Sequence, residues 1–203
     1  MNTSIYAAPK ADLTMPVEVA GDGFYVVSRR KFLVMYFMTL GFYKIYWFYK
    51  NWSMYKTMER AEGGADSNIW PVPRAIFSVF FVHALMREAY AHASGKLRNV
   101  NPDFETTATA LVGLMLVSNV IDRMSWKGVG SPFTDYAGLA LLLPLAYFFN
   151  IARQFINDAS GDCAGKSNDS FTWANWIWIV IGSLFWIVVA FGVFAIATGM
   201  NVE

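Results

Sequence analysis

Residues 176–198 carry no charged side chain. As a helix they extend about 34 Å at ~1.5 Å per residue, enough to cross a hydrocarbon core of about 30 Å. In lipid a backbone has no water to bond, so a lone apolar segment of this length folds as a helix. A transmembrane β-barrel is excluded, because its strands alternate polar and apolar residues and residues 177–181 and 184–190 do not. The rest of the chain agrees. Of 203 residues, 56% are hydrophobic and 15% are charged, against roughly 25% charged in a soluble domain. A net charge of +1 offers no field for nucleic acid. A single cysteine, Cys163, allows no intrachain disulfide.

Four apolar segments precede that helix, at 32–49, 75–90, 104–121 and 133–152. The expected class is all-α: a polytopic helical membrane protein with four or five membrane helices. The number depends on the first segment, which either spans or is re-entrant. Thr39-Leu40-Gly41 is a plausible break, and the following Phe42, Tyr43, Tyr46, Trp47, Phe48 and Tyr49 have the composition of an interfacial helix. A hairpin there leaves more of the 16 basic residues on the inner side than five spans would, with the N-terminus cytoplasmic. Residues 1–23 read as a flexible polar tail without a cleavable signal, and 24–203 as a single helical membrane domain. Most tryptophans fall where segments meet water, as an aromatic belt does; Trp186 is the deep exception.

The run from Thr39 to Trp52, with Thr-x-Gly-x-Tyr followed by Tyr-Trp-Phe-Tyr-Lys-x-Trp, resembles the hallmark of a family of uncharacterised bacterial inner-membrane proteins. Val27-Ser28, Lys31-Phe32, Pro73 to Phe77, Gln154 to Asn157, and Asn168 to Thr172 with Asn175 fit the same pattern. The resemblance implies a multi-pass protein of the bacterial cytoplasmic membrane. It implies no activity.

Ionisable groups at membrane depth are expensive and mark either function or internal pairing. His83 and Arg87 share a helix face, as do Glu88 and His92. Asn119 and Asn150 are further polar positions within apolar segments. For this set, hydrogen-bonded packing or interfacial solvation is the favoured expectation over a metal or proton relay. Lys44 inside the aromatic run is expected to snorkel to lipid phosphates. Together with Arg29, Arg30, Lys31 and Lys50 it forms a candidate anionic-headgroup contact. Gly165-Lys166-Ser167 ends like a phosphate loop but follows a helix rather than a strand. Asp158, Ser160, Asp162 and Asp169 have calcium-loop spacing, with Cys163 where glycine is required. Both read as a solvated connector.

No catalytic set, cofactor or metal site is expected. The expected function is a non-enzymatic scaffold or accessory subunit. The alternatives are a small oligomeric transporter or channel, and a lipid-directed membrane enzyme. Expected partners are the bilayer, anionic headgroups, and a second copy or another membrane protein. Small residues such as Thr109 and Gly113 would allow close helix approach.

Overall fold

A computed structural model describes residues 23–63, 68–96 and 98–198; the expected tail, apart from Gly23, lies outside the described residues. Among these residues the fold is entirely helical, with no strand.

Helix α1, Arg29–Met38, opens on Ser28, whose Oγ accepts the Lys31 N–H at 3.3 Å. An N-cap serine satisfies a donor that the helix itself leaves unpaired. At its other end Leu40 takes φ 49° and Gly41 φ 84°. The Leu40 N–H then donates to the Phe37 carbonyl at 3.1 Å and the Gly41 N–H to the Tyr36 carbonyl at 2.8 Å. That pair of bonds is a Schellman closure. Thr39 Oγ1 meanwhile accepts the Tyr43 N–H at 2.8 Å, capping the start of helix α2, Tyr43–Ala61. The Thr-x-Gly-x-Tyr run is therefore a tight turn that ends one helix and starts the next.

Helix α2 runs back along α1. The Tyr25 N–H, just before α1, donates to Asn51 Oδ1 in the middle of α2 at 3.1 Å. This hairpin disposes its rings differently from the interfacial helix expected. Tyr43, Trp47, Phe48 and Trp52 are buried, while Phe42, Tyr46 and Tyr49 face outward. Phe32 meets Trp47 edge-on at 5.9 Å, and Phe48 meets Phe149 at 6.2 Å. These rings build the core, each contributing about 1.5–3 kcal/mol by burial.

The second apolar segment is also interrupted. Pro71 and Pro73 open a short α3, Pro71–Ile76, as proline does in a first helical turn. Phe77, with ψ 37°, breaks the chain before α4, Ser78–Gly95. Among the described residues, three helices are long and apolar enough to cross a membrane: α5, Phe104–Trp126, α6, Phe133–Ala159, and α7 through its stretch Trp173–Ala195. Helix α7 is continuous from Trp173 to Thr198, as residues 176–198 require. Helices α5 and α6 form an antiparallel pair joined through Gly128 and Gly130, and α4 packs on both.

Helix α7 leans on α1 alone among the helices it touches closely. A Cβ at Gly182 would lie 1.9 Å from the Met38 carbonyl oxygen, so only glycine admits this approach. Four residues on, Trp186 Nε1 donates to the Phe37 carbonyl at 2.8 Å. The deep tryptophan thus satisfies its polar atom at the end of α1.

Candidate functional site

Residues 24–27 enter the fold as an irregular segment outside any helix, and every one of them is buried. A buried backbone without a helix or sheet must find its hydrogen bonds elsewhere. Here side chains from three elements supply them. Asn157 on α6 acts as a neighbouring strand would: its Oδ1 accepts the Val27 N–H at 3.3 Å, and its Nδ2 donates to the Val27 carbonyl at 3.0 Å. Arg153 Nη1 donates to the same carbonyl at 3.0 Å. Asn168 Nδ2 donates to the Val26 carbonyl at 2.9 Å, and the Asn168 carbonyl accepts the Ser28 N–H at 3.3 Å.

Arg153 is 2% exposed. Two further donors meet neutral acceptors, with Nε on Asn150 Oδ1 at 3.1 Å and Nη2 on Gln154 Oε1 at 2.8 Å. The connector closes over this clasp. Gly165, at φ 68°, would place a Cβ 2.6 Å from the Ser28 nitrogen. Asp162 fixes that turn by accepting the Lys166 N–H at 3.1 Å and the Ser167 N–H at 2.8 Å. Desolvation raises the Asp162 pKa, but the N–H and hydroxyl of Ser167, with the N–H groups of Lys166 and Gly165, outweigh it and hold the carboxyl below the usual carboxylate range. The Gly-Lys-Ser run is a capped turn against the chain's own entry segment.

The clasp residues Asn51, Arg153, Asn157 and Asn168 were not among the expected functional positions. A signal was present in the sequence. Asn150, Arg153, Gln154 and Asn157 recur at three- and four-residue spacing, which puts a polar stripe on one helix face.

The expected positions are dispersed. His83 Nε2 lies 3.1 Å from Thr109 Oγ1 on α5. Glu88 accepts the Tyr55 hydroxyl at 2.8 Å; Arg87 is exposed. Burial and the Glu88 carboxylate push the Tyr55 phenol upward. Asn119 is exposed and bonds back to its own helix, Nδ2 to the Met115 carbonyl at 2.7 Å. Asn150 is drawn into the clasp through Arg153. Among the described residues, no three His, Cys, Asp or Glu side chains gather as a metal site would require.

Of the basic set, Arg29 and Arg30 are exposed, and the Arg30 guanidinium lies 5.4 Å from the Phe171 ring centroid. Lys31 departs from the headgroup expectation. It is 3% exposed, and its Nζ donates to Asn168 Oδ1 at 2.5 Å, so it braces the clasp from within. Lys50 Nζ lies 5.7 Å from the Tyr25 ring centroid. Lys44 is half-buried at the hairpin turn, within electrostatic reach of Asp122 on α5. It therefore sits far along the bundle from Arg29 and Arg30 and does not cluster with them.

Beside the hairpin, α1, the turn and α7 enclose a groove of about 490 Å³. Its walls are Met35, Met38, Leu40 and Phe42 on one side and Trp178, Ile181, Gly182 and Phe185 on the other. Thr172 and Asn175 stand at the end nearest the start of α7.

Scanned against protein-family models, curated proteins and solved structures, the chain finds no match.

Proposed function

We propose that the chain is a multi-pass protein of the bacterial cytoplasmic membrane that works as a non-enzymatic scaffold or accessory subunit, with α7 as its docking helix. Helices α5, α6 and α7 cross; the α1–α2 hairpin and the broken α3–α4 helix enter from the cytoplasmic side without crossing. The charge distribution supports this topology. All of the 16 Lys and Arg residues except Arg123 and Lys127 fall before Phe104 or after Asn150, where they remain inside. The motif in residues 39–52 supports the bacterial setting by its resemblance.

The observation that carries the docking role is the bare side of α7. Ile177, Val180, Leu184, Ile187 and Phe191 are between 47% and 65% exposed. They recur at alternating three- and four-residue spacing, the seam along which two helices pack at a shallow angle. Only 6% of the apolar window of α7 is buried, against 39% for α6. The buried polar groups of the clasp bind the chain's own backbone, which favours an architectural role over catalysis.

In-cell photocrosslinking tests this. A benzoylphenylalanine in place of Phe191 is expected to yield one protein adduct of discrete mass, and the same probe in place of Trp186 none. Lipid adducts alone at Phe191 would overturn the docking role.

A further inference from the structure

We infer that the groove between the α1–α2 hairpin and α7 holds one acyl chain of an anionic phospholipid, with its headgroup at Arg30. The inference rests on the membrane reading above but not on α7 docking, since the groove and the seam occupy different sides of α7.

The groove is polarised lengthwise. Just beyond the Thr172 end, outside the lining itself, Phe171 carries the Arg30 guanidinium over its ring, with exposed Arg29 next to Arg30 in the chain. Thr172 at that end donates both its N–H and its Oγ1–H to Asn175 Oδ1, each at 3.0 Å. The carbonyl oxygen of Asn175 is thus engaged, and its amide NH₂ remains as a donor for a phosphate oxygen. Trp173 and Trp176, 76% and 58% exposed, mark headgroup depth on the first turns of α7.

At the other end the lining is Leu40, Ile181 and Phe185. Thr39 Oγ1 there is already bonded to the Met35 carbonyl at 2.8 Å and to the Tyr43 N–H, and the rings of Tyr43 and Tyr46 also line the groove. A groove with cations and a donor beside its headgroup end and mostly apolar walls beyond it matches one lipid molecule lying along α1. Its volume lies within the range of about 300–1,000 Å³ typical of small-molecule sites, and Gly182 keeps it closed behind by bringing α7 onto Met38.

The test uses the full chain in mild detergent, mixed with equal amounts of phosphatidylglycerol and phosphatidylcholine of identical acyl chains, and read by native mass spectrometry. One phosphatidylglycerol per chain is expected to stay bound in preference to phosphatidylcholine. Arg30→Gln is expected to lower that preference about fivefold, the effect of one cation at an anionic headgroup. Ala174→Trp, at an exposed groove position, is expected to abolish retention of both lipids with unchanged helix content by circular dichroism. Independently of either variant, a benzoylphenylalanine replacing Phe185 is expected to label an acyl chain. Equal retention of the two lipids by the parent chain, an unchanged preference in Arg30→Gln, or labelling of a second copy from position 185 would each overturn the assignment. The Phe191 crosslink is unaffected by these outcomes, so failure of the groove and failure of the docking helix read out separately.

Discussion

Asn157 answers both polar groups of Val27, and Val27 is fully buried. Asn157→Ala therefore leaves a buried N–H without its acceptor, while the carbonyl keeps Arg153. Leaving such a group unsatisfied costs about 1–3 kcal/mol, and thermal unfolding in detergent should show a lower Tm. The Gly165 position allows a controlled comparison. Gly165 and Gly63 both have positive φ, but a Cβ at Gly63 meets nothing within 4 Å, whereas at Gly165 it meets the Val27–Ser28 backbone below 3 Å. Gly63→Ala is expected to cost roughly 1 kcal/mol from the left-handed conformation alone. Gly165→Ala should cost clearly more, because no side-chain rotation relieves a clash with backbone. Equal Tm losses would show that the connector does not press on the entry segment.

At the scale of single elements, two turns decide the architecture. Thr39→Val keeps the shape of the α1–α2 turn and removes the acceptor for the Tyr43 N–H. It should cost about 1 kcal/mol, with Thr39→Ser close to the parent. The connector responds to acid through Asp162. Its pKa is depressed in the folded chain, so its contribution is present above the unfolded value of about 3.9 and is lost as pH falls through the folded value. The Tm should therefore drop between pH 7 and pH 3 by less in Asp162→Asn than in the parent. These elements differed in how far the sequence disclosed them. The uncharged α7 and the break at residues 39–41 were legible, because charge absence and a Thr-Leu-Gly run act locally. The break at Phe77 was not, since no glycine or proline marks it and only φ/ψ reveals it. The clasp was hidden for another reason: Val27 meets Asn157, and Val26 meets Asn168, across a long stretch of chain, and a sequence pattern along one helix does not name its partner. The aromatic run misled because rings suit an interface and a core equally well; packing against Phe149 settled the core for Phe48.

For the molecule as a whole, the proposed topology is a hairpin that dips into the bilayer and returns, followed by three crossings. Helix α1 has 10 residues, about 15 Å of rise, half of what a crossing needs. If α7 is the docking element, Gly182→Val should detach it from α1 while leaving α5 and α6 paired. The expected sign is a lost crosslink between cysteines placed at Phe37 and Trp186, with membrane insertion intact. The native Cys163 thiol is a poor topology reporter, because its hydrogen bond to the Asp158 carboxylate pushes its pKa up. The direct test replaces it with serine and places a single cysteine at exposed Arg60, the end of α2, or at exposed Lys127 between α5 and α6. Intact spheroplasts are then treated with a membrane-impermeant maleimide. The account predicts labelling at position 127 from outside and labelling at position 60 only after permeabilisation. Labelling at position 60 from outside would make the first segment a crossing and contradict the hairpin.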